Sequence, residues 1–194
     1  MRAVHSLRRA LGGAPRPVAV ERLPRLPAVL RRSELGPPYV EAESARDHRR
    51  AAAVASRAAE MAITRGEWWP ADVWAHRALW HFQQADMSLA ATRQARRIGD
   101  LRSAAGDGPS ARRYYAEAIA EARDIGAERE EGLAALGLGR AELDLGNVGV
   151  ARRLARIAVD LLERCGAPAH ELAAARELRG EERAVGAESG ERPG

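Results

Sequence analysis

Arginine supplies all of the basic side-chain charge in this sequence. The chain has 31 basic residues, every one of them arginine, and a formal net charge of only +4 over 194 residues. A guanidinium is planar and donates hydrogen bonds in a fork that fits a carboxylate or a phosphate. Because so small a net charge does not by itself make a nucleic-acid surface, function depends on which elements bring arginines together on one face.

The residue types that usually perform catalysis or bind metals are few and unfavourably spaced. No two of the five histidines are three or four residues apart, and the single cysteine, Cys165, has no second cysteine to pair with. A zinc site needs such spacing or such pairs. The run Gly137-Leu138-Gly139-Arg140 has part of the glycine pattern of a phosphate loop, but it falls within a predicted helix and lacks the third glycine. We therefore expect no enzyme activity, no metal and no cofactor.

The elements that must position the arginines are predicted to be helices. Apolar residues make up 46% of the chain, mainly alanine and leucine, and aromatic residues only 4%. This composition favours closely packed helices over sheets, and no stretch keeps the polar and apolar alternation of a strand. We predict an all-α fold with helices near 46–64, 69–84, 88–105, 109–125, 128–145, 148–165 and 168–183.

Composition also divides the chain along its length. Residues 1–44 are rich in arginine, proline and glycine and are predicted to be a flexible basic arm, residues 45–185 the helical domain, and residues 186–194 a disordered tail. Prolines and glycines interrupt any signal-peptide core in the arm, and no later run reaches the roughly 18 apolar residues of a membrane span. We therefore expect a cytoplasmic protein with no membrane partner.

Small residues recur at intervals of 40 residues within the helical domain. Gly66, Gly106 and Gly146 each fall where a helix is predicted to end, a place where glycine readily adopts a left-handed conformation. Alanine or glycine keeps the same interval before and after the turn, with Tyr115 as the one bulky exception, so neighbouring helices can approach closely. The positions in register are Ala59, Gly99 and Gly139; Ala71, Ala111 and Ala151; Ala75, Tyr115 and Ala155; and Ala78, Ala118 and Ala158.

These landmarks resemble those of the tetratricopeptide repeat over most of residues 45–165. The period of 40 is longer than the family's usual 34 and is similar to a long bacterial variant found in transcription activators and scaffold proteins. Only Tyr115 keeps the bulky residue of the second helix, and the first helices lack the family's Trp and Tyr. The resemblance implies a right-handed stack of three helical hairpins with a C-terminal capping helix, and a non-catalytic adaptor or regulator that binds a protein or peptide.

In the family that the chain resembles, the first helix of each hairpin lines a concave groove. The family's groove positions fall on Ser56, Glu60, Arg93, Arg96, Arg97, Asp100, Arg140, Asp144 and, on the capping helix, Arg176. If these arginines converge, their forks would bind a protein or peptide with an acidic segment, since a charged hydrogen bond contributes about 1.5–3 kcal/mol. The alternative is a solvated face on which each arginine pairs with a nearby Asp or Glu of the same chain.

All four tryptophans lie on the second helix of the first hairpin. Helical spacing places one group of residues opposite the alanine stripe of that helix, so we predict an outward contact patch. The patch consists of Trp69, Val73, His76 and Trp80. Two interpretations of its cover remain open: a second chain, which would be a copy of this one or another partner, or the apolar residues of the arm. Those apolar residues are Leu23, Leu26, Val29 and Leu30.

Two other functions remain open as alternatives. Arginine pairs such as Arg8-Arg9 and Arg31-Arg32 in the arm are interleaved with prolines, which would suit a nucleic-acid-associated accessory protein. The tryptophan patch would suit a self-assembling structural subunit. A salt-dependent shift of a nucleic-acid probe would identify the first alternative, and a mass that rises with concentration would identify the second.

Overall fold

A computed structural model of the chain describes residues 23–188, and the side chains of residues 23–180. The predicted all-α fold is confirmed, because the described residues form helices and turns and no strand. The helices are α1 (Ala28–Arg31), α2 (Gly36–Ser44), α3 (His48–Thr64), α4 (Trp68–Gln84), α5 (Ser88–Ala104), α6 (Gly108–Asp124), α7 (Glu128–Asp144), α8 (Val148–Arg164) and α9 (Ala169–Glu188). No helix within these residues combines the length and the apolar run that a membrane crossing needs.

One turn geometry recurs every 20 residues and sets the length of the helices. Helices α3 to α8 each contain 17 residues. Each turn has one residue in the left-handed conformation, and the next residue donates its N–H to a carbonyl five positions earlier at 2.8–3.0 Å. The left-handed residues are Arg46, Gly66, Asp86, Gly106, Gly126, Gly146 and Gly166. Because turns within and between hairpins are equally long, the 40-residue period reflects the length of the helices and not longer turns between hairpins.

The helices pack as successive pairs. The closest packing joins α3 with α4, α5 with α6, and α7 with α8, while α9 packs on α8. The alanine stripes lie at these contacts, as Ala75, Ala118 and Ala158 show by being fully buried. Helix α5 also contacts α7, and α7 contacts α9, so the first helices of successive hairpins lie side by side. We call the surface formed by α3, α5, α7 and α9 the first-helix face.

Tyr115 crosses from the second helix of its hairpin to the first-helix face. A Cβ on Gly99 of α5 would lie 2.7 Å from its ring, and a Cβ on Gly137 of α7 would lie closer still. The phenol hydroxyl donates a hydrogen bond of 2.7 Å to Oδ1 of Asp100. Gly137 therefore admits an aromatic ring, which explains the glycine that was not accounted for by the 40-residue repeat.

The helical stack begins earlier than residue 45, which corrects the second half of the predicted arm. Leu26, Leu30 and Tyr39 are buried in the same core as the hairpins. Helices α1 and α2 together occupy residues 28–44, the span that the 20-residue period assigns to one helix. Pro37 and Pro38 lie in the first turn of α2, where their missing N–H groups cost no hydrogen bond. Residues 1–22 of the arm and residues 189–194 of the tail lie outside the described residues, and α9 extends to Glu188.

Candidate functional site

The arginines of α5 already have carboxylate partners within the chain. Arg97 donates to Glu60 of α3 at 2.6 Å, and Arg93 donates to Glu130 of α7 at 2.7 Å. Glu130 is only 4% exposed, so its charge is compensated inside the stack. The predicted groove arginines Arg93 and Arg97 therefore lie on the first-helix face as expected, but each is already paired with a carboxylate of a neighbouring first helix.

Arg96 and Asp100 complete this closed part of the first-helix face. They form an ion pair of 3.1 Å one helical turn apart, and Asp100 also accepts the hydrogen bond of Tyr115. Burial and the carboxylate of Asp100 raise the pKa of Tyr115 far above its usual range, while Arg96 and Arg140 oppose that rise. Tyr115 is thus a permanent hydrogen-bond donor in the stack.

A groove opens where α5, α7 and α9 meet. Its volume is about 350 Å³, and it is lined by Ser103, Arg140, Leu143, Asp144, Ala174, Glu177 and Leu178. Arg140, Asp144 and Glu177 are exposed, and within the described part of the chain none of them has an oppositely charged atom within 4.0 Å. Around one concavity, charged groups of both signs therefore have no ion-pair partner among the side chains of residues 23–180.

Arg176 does not belong to this groove. Its guanidinium pairs with Glu163 of α8 at 2.7 Å, on the side of α9 that meets the preceding second helix. The lining residue from the same stretch of α9 is Glu177 instead. A signal for Glu177 was present in the sequence, since it follows Arg140 by the same 37 residues that separate Arg97 from Glu60.

The predicted tryptophan patch is not one continuous exposed surface. Trp69 is 54% exposed, whereas Val73, His76 and Trp80 are partly buried. The ring of His76 bonds through Nε2 to the Tyr114 hydroxyl on α6 at 2.7 Å. The contact with Tyr114 and the packing of the Trp80 ring on His48 of α3, at a centroid distance of 5.5 Å, cover part of the face that a single helix would leave open.

The apolar residues of the predicted arm cover a different surface from the one expected. Leu26 and Leu30 are buried in the core that contains Trp74, and Val29 is exposed. Trp74 itself is 2% exposed, with its ring edge-on to Tyr39 at a centroid distance of 5.1 Å. The segment therefore packs against the core side of α4.

A buried polar network that the sequence did not reveal joins this segment to the stack. Arg77 is 2% exposed and donates to the Tyr39 hydroxyl at 3.1 Å and to the carbonyl of Pro24. The same hydroxyl donates to Glu43 at 3.0 Å and lies 2.9 Å from Nε2 of His81. Burial raises the pKa of Tyr39 far above its usual range, so the phenol stays protonated.

The two histidines at the end of this network have defined roles. Because the Tyr39 proton goes to Glu43, Nε2 of His81 is the donor to Tyr39, and Nδ1 of His81 must accept from Nδ1 of His48 at 3.0 Å. Burial, followed by the charges of His48 and Arg77, lowers the pKa of His81 to about 4. His81 is therefore neutral near pH 7. Neither histidine has a cysteine or a spacing signal that could have revealed this pairing in the sequence.

Comparison with known proteins gives this chain no family. No model of a known protein family matches it, and no curated protein is detectably similar to it.

Within the described residues, no three His, Cys, Asp or Glu side chains come together as a metal-binding group. The groove brings together one guanidinium and two carboxylates that have no ion-pair partner within residues 23–180, beside an apolar lining, and such groups are suited to reversible binding.

Proposed function

We propose that this chain is a non-catalytic adaptor or regulator that binds a protein or peptide in the groove between α5, α7 and α9. The observation that carries the proposal is that Arg140, beside Asp144, has no ion-pair partner among the described side chains, in contrast to the paired arginines of α5. A free guanidinium in a groove can form a forked pair with a carboxylate of an acidic segment. Arg93, Arg96 and Arg97 would have to break existing pairs to do so.

The proposal includes a tetratricopeptide-like scaffold that works in the cytoplasm. Paired helices of constant length, a left-handed residue in every turn and alanines between the helices support that scaffold. Stacks of this kind present an extended surface formed by the first helices, and ligands are selected by side chains that the fold does not need. Arg140 and Asp144 are such side chains.

A pull-down from the native lysate with the full chain tests the proposal. We expect the wild type to capture a partner, and Arg140→Glu to lose it, because the reversed charge would repel an acidic segment and join two existing carboxylates. Arg176→Glu is the matched control, since Arg176 is exposed on α9 but lies outside the groove. Equal thermal unfolding of the variants would show that folding is unchanged. Capture that survives Arg140→Glu would contradict the proposal.

A further inference from the structure

The groove around Arg140 carries charges of both signs, and this defines its ligand more narrowly than an acidic segment. We propose that it takes a peptide segment with one acidic and one basic side chain beside an aliphatic residue. Arg140 would hold the acidic side chain, and Asp144 and Glu177 the basic one. This inference rests on the proposed function and names the ligand class of the same groove.

Equivalent positions in the repeat show why the groove is open. Arg140 occupies, two repeats later, the position of Glu60, and Glu177 occupies the position of Arg97. Glu60 and Arg97 close their contact at 2.6 Å, with the negative charge on the earlier helix. At Arg140 and Glu177 the charges are exchanged, so the positive charge is on the earlier helix. These two side chains form no ion pair with each other. The groove of about 350 Å³ is lined by both of them. The space between the two side chains is where ligand charges fit.

The charge of the lining argues against a purely acidic ligand. The groove is lined by one guanidinium and two carboxylates. A ligand with only negative charge would form an ion pair with Arg140 but would be repelled by Asp144 and Glu177. A ligand that brings both signs satisfies all three groups. Arg140 and Asp144 are one helical turn apart, about 5–6 Å between Cβ atoms, which fits two neighbouring side chains of one peptide.

The apolar part of the groove explains why the proposed ligand includes an aliphatic residue. Leu143, Ala174 and Leu178 form the apolar part of the groove, and Leu178 packs in the core, so the floor is fixed. An aliphatic side chain placed on this floor would exclude water from the flanking charged contacts, and ion pairs shielded from water are stronger than exposed ones.

Four capped synthetic peptides test the inference by fluorescence anisotropy with the full chain. They share one leucine on a background of alanine and glycine, and carry Asp with Arg, Asp with Gln, Asn with Arg, or Asn with Gln, at a series of spacings. We expect the peptide with Asp and Arg to bind at least tenfold more tightly than the peptide with Asp alone. Asp144→Asn with Glu177→Gln should remove that preference, and Arg140→Gln should weaken both peptides. Arg176→Gln should change neither.

The outcomes separate this inference from the proposed function. Equal binding of the Asp peptide and the Asp-Arg peptide would overturn the two-charge ligand, while the groove would still hold an acidic segment. A preference that persists in the Asp144→Asn, Glu177→Gln variant would also overturn it, because another site would be reading the basic residue. If no peptide binds but the pull-down depends on Arg140, the inference fails and the proposed function stands. If neither peptide binding nor the pull-down depends on Arg140, the inference and the proposed function both fail.

Discussion

The two halves of the first-helix face are built on the same helical scaffold but differ in their ion pairing between neighbouring first helices. Between α3, α5 and the start of α7, Arg97 and Arg93 are closed by Glu60 and Glu130. Between α7 and α9, Arg140 and Glu177 face one groove and stay apart. An exposed ion pair such as that of Arg97 with Glu60 contributes only about 0–1 kcal/mol, and the pair of Arg93 with Glu130 compensates a carboxylate that the stack buries, so both pairs have a structural explanation. Arginine content alone therefore does not distinguish the two halves, because Arg93 and Arg97 have ion-pair partners and Arg140 has none among the described residues.

Tyr115 stands at the border between the halves, and its loss should have the largest effect. Tyr115→Ala would leave a cavity between Gly99 and Gly137, where the glycines have no side chains to fill it. We expect a decrease in the free energy of unfolding of about 3–5 kcal/mol, measured by chemical denaturation. Tyr115→Phe removes only the hydrogen bond to Asp100 and is expected to cost about 1–3 kcal/mol. A small effect of Tyr115→Ala would mean that the halves are not joined there.

The buried His81 at the N-terminal end of the stack should make the stability of the protein depend on pH. His81 has a pKa of about 4 in the folded chain and about 6.5 when unfolded, so the unfolded chain binds more protons between these values. The contribution of His81 to stability should be constant above pH 6.5 and fall by roughly 3 kcal/mol as the pH is lowered to 4. Denaturation at a series of pH values measures this, and in His81→Gln this part of the slope should be absent. An unchanged slope in that variant would place the titrating group elsewhere.

Glu130 and Glu177, two acidic residues of the first-helix face, should differ in their contribution to the free energy of unfolding. Glu130→Gln weakens a buried charged contact with Arg93 and is expected to lower the free energy of unfolding by about 1–3 kcal/mol. Glu177→Gln alters an exposed side chain without an ion-pair partner in the described residues and should change it by no more than about 0.5 kcal/mol. Thermal unfolding of both variants provides the comparison. Equal losses would show that Glu177 is paired in solution and that the groove is closed.

The helical architecture was predictable because its determinants are local. A glycine every 40 residues and small residues in register indicated where helices end and where they meet, and from residue 46 to 165 the predicted bounds are within two residues of those found. Arg46 and Asp86 take the left-handed turn position without being glycine, which hid the underlying 20-residue unit. Pro37 and Pro38 suggested a loop, although the first turn of a helix tolerates both.

The site was predictable only in part because it depends on contacts between repeats. Arg140 and Asp144 were identified from the family that the chain resembles, but nothing local distinguishes them from Arg97, whose partner lies 37 residues away on another helix. Arg176 turned to α8 because Glu163 lies within reach there. His48 and His81 meet only after α3 has packed against α4. Pairing across a stack is a property of its geometry, so it is visible only once the helices are placed.

The most direct test of the account compares one arginine from each half. Arg140→Gln and Arg97→Gln each remove one charge from an exposed side chain of the first-helix face, and affinity for the partner captured by the wild type can be measured by titration calorimetry. We predict that Arg140→Gln weakens binding by about tenfold or more, as loss of a charged hydrogen bond should, and that Arg97→Gln changes it by less than about twofold. Equal losses, or a larger loss at Arg97, would contradict the assignment of the open half as the binding site.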